Sequence, residues 1–543
     1  MSQVFWNIDS IVIKDNVIFG FGWIFHTKHE IVSTRLRLSF AGADECSVQD
    51  IVAEAGKPRF DVKNAFKNEA HALNSGYFIY GAYTPGAKIS SIDLVCSLED
   101  DSILELGVPY STIIQFNSAN KSVIRLLMLR QLYVLFKRGV HLIRAGKFSS
   151  LFNKVRRYLT SRPKNILYKP EDLAALLSGA ERKNLSLIVD HDLGGGANQH
   201  RELMIDSIIR DGRSVIIISY HVATLSYVLI LRNSRVNLRF SVPDKDFILK
   251  AVKNLSVTEA IYNTAVSFSK PEQIPQLLIE IKQVTSARLR VFVHDFFLAC
   301  PSHFLIDYEG KHCNVPNISI CSICLPKNQQ GFATLFLERD ILKWRMIWGT
   351  MLSIADEIVA FSHNSSSILM KAYPQLDKAR ISVLLHEHTH VSGQLPKITN
   401  MDRLVIGVVG QIGFHKGSLF IQSLAREIRR RSSNVKIVVI GTIETMCDPL
   451  VVTQTGSYRH SELNGLIEKS GANIFLFPSI WPETFSYVVQ ELMTMSLPVA
   501  CFNLGAPPER LATYPKGKIL TSTDPAAVLD QLVSFYHKIY TPN

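Results

Sequence analysis

The chain lacks the segments that would tie it to a membrane span or an export route. Its 543 residues contain no apolar run of about 20, the length that a spanning helix needs. The start, Met1 to Asp9, has no basic stretch leading into an apolar one, so no secretory leader is read there. A cytoplasmic protein is expected. Low-complexity stretches are few, and 47% hydrophobic residues suffice to bury several cores. Also missing is the GxGxxG turn of dinucleotide enzymes, and no acidic residue closes the apolar run ending near Tyr220, which counts against a nicotinamide cofactor.

Acidic residues are absent from Lys121 to Lys164, where twelve lysines and arginines match the whole formal excess of +12. Leu126, Leu127, Leu129, Leu132, Leu135 and Phe136 recur there at helical spacing. A basic amphipathic helix or pair of helices suits an anionic membrane surface or an acidic partner; a solvated linker helix packed on the next domain is the plainer alternative. No nucleic-acid reading motif accompanies the charge, so nucleic acid is not expected as a partner. Ahead of this segment, short alternating runs such as Thr34 to Phe40 and Ile92 to Leu98 are separated by turn residues. That is the pattern of an all-β sandwich, with an assembly role or carbohydrate binding as its alternatives.

What is present is most informative near the C-terminus. Asn473 to Phe477 is an apolar strand, followed by a polar turn and then a helix that Glu483 enters, with Glu491 two turns inside. Pro482, Thr484 and Ser486 are natural helix openers, so free amides and a positive dipole end face the turn and suit a phosphate. Upstream, the buried-type strand Leu404 to Val409 runs into Gly410, Gln411, Gly413, Lys416 and Gly417. Glycines let backbone approach a phosphate, and lysine adds a point charge. In the first half, Leu185 to Val189 leads into Asp190, His191 and the run Gly194, Gly195, Gly196, Ala197, Asn198, followed by a helix around Arg201 to Arg210. A further strand, Leu289 to Val293, ends in His294 and Asp295, at the edge where open α/β sheets bind ligands.

Together these segments resemble the retaining GT-B glycosyltransferases of family four, glycosyl transferases group 1. They look most like the bacterial subgroup that builds surface polysaccharides such as O-antigen or capsule, some of whose members carry an accessory β domain in front. The resemblance covers roughly residues 180 to 530. It implies an α/β chain with two doubly wound Rossmann-like domains, divided as 1–115 (β domain), 116–165 (basic linker), 166–398 (acceptor domain) and 399–543 (donor domain). It implies transfer of a hexose-type sugar from a nucleotide-diphosphate donor to a glycan or lipid-linked acceptor with retention, on an enzyme that is cytoplasmic or peripheral on the inner membrane face. Carried over by position, Glu491 holds the ribose, Glu483 the donor sugar, and Lys416 with the amides of Thr484, Phe485 and Ser486 the diphosphate. Gln411 stands in the same donor site, where the family often has arginine, and Ser496 stands where a glycine is usual. Gly194, Gly195 and Gly196 approach the donor from the first domain, and His294 lines the catalytic cleft. His294, Lys416 and Glu483 are the catalytic candidates.

No carboxylate pair in the sequence suits a double-displacement scheme, and no Asp-x-Asp stands where a divalent metal would grip the diphosphate. Front-face, metal-independent transfer with no required cofactor is expected. A sugar-nucleotide sensor without turnover and a nucleotide-sugar epimerase are the competing readings. Cys300, Cys313, Cys321 and Cys324 fall in one loop-rich stretch; in a reducing cytosol such a set favours a structural zinc over two disulfides, and a loop pinned by buried thiols is the alternative. His386 to His390 matches His-Glu-x-x-His, but it follows a strand, whereas proteolytic zinc chemistry needs both histidines on one helix face.

Overall fold

The computed structural model describes residues 3–41, 47–115, 165–167, 169–177, 184–384, 395–399 and 402–540. The basic stretch 121–164, the histidine run 386–390 and Cys46 lie outside the described residues. The chain divides into two compact units. The first holds Met1–His303, Pro316–Val359 and Ala372–Ser382, and the second Phe304–Val315, Ala360–Lys371 and Val383–Asn543.

The first unit begins with two β-sheets. One has the strand order Glu54–Lys57, Gly76–Ala82, Val17–His26, Val4–Lys14, Ile113–Gln115, and the other Ser47–Val52, Ile31–Phe40, Ile89–Leu98, Ile103–Gly107. Every second residue of Ile31–Phe40 from Thr34 onward is buried, as period-two alternation requires when one face packs inward. Ile11, Ile13 and Ile79 of the first sheet share one core with Leu36, Leu38, Leu94 and Cys96 of the second, which makes a sandwich. Its other surface sits on the α/β part of the same unit: the buried Lys14 ammonium donates to the Leu225 carbonyl (3.1 Å) and the Tyr80 hydroxyl to the Ser267 carbonyl (2.7 Å).

The α/β part is a nine-stranded sheet. Leu185–Val189 pairs in parallel with Ser214–His221 on one side and Val257–Tyr262 on the other, and Arg288–Val293 follows in parallel beyond Val257–Tyr262. An antiparallel meander, Ser214–His221, Ser226–Arg232 and Asn237–Val242, extends the sheet outward. All five residues of Leu185–Val189 are buried, the continuous apolar run of a strand covered on both faces.

The second unit is built on a six-stranded, wholly parallel sheet in the order Val452–Gln454, Lys436–Ile443, Val405–Ile412, Ile474–Phe477, Val499–Phe502, Gly517–Leu520. Ile406 and Val408 pack with Ile421, Leu424, Leu529 and Leu532 on one face, while Val405 and Val409 pack with Leu463, Val489 and Leu492 on the other. Helices therefore cover both faces. The fold is α/β, with a β-rich N-terminal region, as expected.

Candidate functional site

In the second unit the chain leaves Val405–Ile412 toward one neighbour and later returns on the opposite side as Ile474–Phe477. Strand order thus reverses between these two strands, and their carboxyl ends form the kind of switch point at which open α/β sheets bind ligands. Both polar turns of the sequence stand there. They are laced together: Ile480 N–H donates to the His415 carbonyl at 3.0 Å, as does the Ser479 hydroxyl at 3.4 Å. Gly417 has φ +84°, and a Cβ on it would lie 2.1 Å from the Pro478 carbonyl oxygen. Only glycine permits that approach in that conformation. The His415 ring stacks on Phe304 (4.1 Å, 9° between planes), and Trp481 meets the same ring edge-on.

Lys416 ends a short 3-10 turn, Phe414–Lys416, and Gly417 opens the helix Ser418–Arg430. The Lys416 charge acts on Glu483, a residue that is 8% exposed. Burial pushes the Glu483 carboxyl above its ordinary value; Lys416 and hydrogen bonds around Ser479, Trp481 and Ser486 oppose the shift. The sequence places Glu483 at the entry of a helix, and the structure corrects this. Ser486 is the cap, its hydroxyl accepting from Val489 N–H at 3.3 Å, and the helix is Tyr487–Thr494. Glu483, Thr484 and Phe485 belong to the turn before it, all buried, so helical rise does not set the spacing of the two glutamates.

Glu491 lies inside that helix with its carboxylate 3.7 Å from His460 Nδ1. Burial raises its pKa and His460 opposes the rise. Tyr458 and Tyr487 feel the same carboxylate, and burial, aided by it, pushes both phenols up to about 12. Gln411 has turned to Glu444, donating to Oε1 at 3.3 Å. Motif spacing singles out neither His460, Tyr458 nor Arg510, which stacks over Phe485 at 4.2 Å.

In the first unit, the turn after Leu185–Val189 lies at the equivalent reversal of strand order. Its glycines are braced from below. Asn198 accepts from Gly194 N–H (2.7 Å) and donates to Asp190 Oδ2 (2.7 Å) and the His191 carbonyl (2.9 Å). Arg201 Nη1 reaches the same Asp190 oxygen at 2.9 Å. The helix starts at Gly196, earlier than the sequence suggests, with Gly195 at φ +93° as its cap. His294 is 9% exposed and packs on His200 at 4.9 Å. The next residue, Asp295, accepts from the Thr264 hydroxyl (2.6 Å) and Phe297 N–H (2.8 Å), and burial raises its carboxyl to about 6.

Of the four clustered cysteines, Cys300 and Cys324 both act on the charge of the largely buried Arg339. Cys321 and Cys324 lie on one helix, Ile318–Lys327. Cys321 Sγ donates to the Pro316 carbonyl and accepts from Arg345, and Cys324 accepts from Asn328. Among the described residues no group of three or more His, Cys, Asp or Glu side chains is positioned to hold a metal ion.

Residues 403–538 match the family described as Glycosyl transferases group 1. No curated protein sequence matches the chain. Among solved structures, Anabaena HepE in complex with UDP-glucose is similar over 65% of this chain and 90% of its own, at 11% identity and a TM-score of 0.43. Sucrose-phosphate synthase from Thermosynechococcus elongatus is similar over 65% and 90% (13% identity, TM-score 0.41), and a glycosyltransferase from Rickettsia africae over 66% and 92% (15% identity, TM-score 0.41).

Proposed function

We propose that this chain transfers a sugar from a nucleotide-diphosphate donor to a glycan or lipid-linked acceptor, with retention of anomeric configuration, in the building of a cell-surface polysaccharide. The observation that carries the reading is the pairing of two phosphate-suited turns at one reversal of strand order, with Lys416 acting on the buried Glu483. It falls within the segment that matches Glycosyl transferases group 1.

When the bond from the anomeric carbon to the nucleotide breaks, negative charge grows on the β-phosphate. Lys416 and the amides of Thr484 to Ser486 meet that charge, and each well-placed group is worth ~10²–10³ in rate. Glu483 holds hydroxyls of the departing sugar, and Glu491 holds the ribose. The leaving phosphate itself takes the acceptor's proton, which gives front-face transfer and retention. In the first unit, the acceptor domain of this reading, Gly194 to Gly196 are assigned to the donor and His294 to the catalytic cleft. The basic stretch 121–164 meets an anionic membrane surface, which binds such segments by ~1 kcal/mol per basic residue. No helix among the described residues is long and apolar enough to cross a membrane.

A thermal-shift screen across nucleotide sugars identifies the donor, and NMR of the product from that donor and an acceptor glycan reads the anomeric configuration. A retained anomer is the expected result. An inverted product removes the mechanism, and donor binding without transfer or hydrolysis favours a sensor, for which the neutral Gln411 is the supporting observation. Release of an epimerised free nucleotide sugar would identify an epimerase.

A further inference from the structure

A nucleoside diphosphate brings at least two negative charges to the site, and Lys416 supplies one positive charge in its turn. The Gln411 amide is neutral and is engaged by Glu444. A second cation comes from another element. The helix Ala506–Leu511 is fastened to the turn at both its ends: Ala506 N–H donates to the Glu483 carbonyl at 2.8 Å, and Arg510 Nη1 donates to the Ser486 carbonyl at 3.4 Å. The guanidinium carbon lies over the Phe485 ring, 4.2 Å from its centre.

Among the described residues no carboxylate pairs with Arg510. Its neighbour Glu509 is committed elsewhere, accepting from the amides of His363 (3.0 Å) and Asn364 (2.5 Å). Burial draws the guanidinium down to about 10, and no nearby charge opposes the shift. A guanidinium has five N–H donors in a rigid fork, and the described contact uses one. A partly desolvated cation without a counter-ion is unfavourable, so an anion that supplies one is bound strongly.

We propose that Arg510 is the second cation of the donor site, its fork taking a β-phosphate oxygen of the nucleoside diphosphate beside the Thr484 to Ser486 turn. This rests on the glycosyl-transfer reading of the same site.

The test uses the full chain and isothermal titration with UDP, GDP and ADP and with the matching monophosphates. Arg510→Gln is expected to weaken binding of the preferred diphosphate about ten- to a hundredfold, the range of a charge-assisted hydrogen bond, while the monophosphate is held as before. Gln411→Arg in the Arg510→Gln chain is expected to restore the preference for diphosphate. If Arg510→Gln leaves the diphosphate-to-monophosphate ratio unchanged, by sparing both or weakening both alike, Arg510 only props the turn and the proposal is overturned. Arg510→Lys, which keeps the charge and loses the fork, is read in the same way if the glutamine variant does not fold, with a smaller loss of the ratio expected. A wild-type chain that binds none of the diphosphates overturns the glycosyl-transfer reading before any variant is made, and this proposal with it.

Discussion

Arg201 Nη1 and Asp190 Oδ2 stand 2.9 Å apart across eleven residues, with the aspartate fully buried. The pair ties the helix Gly196–Arg210 to the end of the strand that precedes it, and so holds the glycine turn between them in one shape. Removing one partner strands the other charge out of water, at a cost of about 3–5 kcal/mol. Arg201→Met is expected to lose that much in urea unfolding followed by tryptophan fluorescence. A loss below about 1 kcal/mol would mean that Asn198 alone braces the turn.

Two glycines at turns of like sequence should respond unequally to alanine. Gly195 has φ +93° with open space where a Cβ would go, whereas Gly417, at φ +84°, would drive its Cβ to 2.1 Å from the Pro478 carbonyl. Gly195→Ala therefore carries backbone strain alone, of order 1–3 kcal/mol. Gly417→Ala carries similar strain and must also part the two turns of the proposed donor site. The expected outcome is a larger fall in melting temperature for Gly417→Ala, with donor binding lost. Equal falls with donor binding kept would show that the two turns are not rigidly joined.

Much of this architecture is legible in the residues. Apolar strands running into glycine turns locate the carboxyl ends of parallel strands in both α/β sheets, and alternation along Ile31–Phe40 marks the sandwich. Local chemistry stops short where several residues share one propensity. Pro482, Thr484 and Ser486 all open helices, and Ser486 wins because its φ of +78° reverses the chain there, leaving Glu483 in the turn. The Cys321/Cys324 spacing fits a metal knuckle and one turn of helix equally; the residues between them are helical, with Asn317 capping the helix through Ile320 N–H. Arg510 and His460 reach the site from other elements, at sequence separations that no motif fixes, and only the tertiary fold brings them to Ser486 and Glu491.

Asp295 gives the first unit a pH signature. Burial raises the folded carboxyl to about 6 from its ordinary value of 3.8. The folded state then binds more protons than the unfolded state between those values, so this group's contribution is full below about pH 4 and is lost as pH rises through about 6. The shift corresponds to roughly 3 kcal/mol. Asp295→Asn keeps an oxygen for Phe297 N–H and an amide for Thr264, and cannot ionise. Relative to wild type it should gain stability between pH 4.5 and pH 7.5 in urea melts. A difference that stays flat across that interval would show that the carboxylate finds a counter-charge or water.

In the proposed reaction Lys416 and Glu491 act on different parts of the donor, so they should separate kinetically. Lys416→Ala removes charge stabilisation that grows as the β-phosphate leaves, so kcat should fall ~10²-fold or more. The same change removes the positive charge that opposes burial at Glu483, so the Glu483 carboxyl should rise further, and any limb of the pH–rate profile that reports it should move to higher pH. Glu491→Ala leaves the reacting end alone and takes away the carboxylate assigned to the ribose; its effect should lie mainly in a higher KM for the donor, with kcat little changed. Steady-state kinetics on the donor found in the screen, run from pH 5 to 9, reads all three effects. Wild-type kcat in Lys416→Ala would remove the lysine from the reaction, and a kcat loss in Glu491→Ala matching that of Lys416→Ala would mean that the two residues serve one structural function.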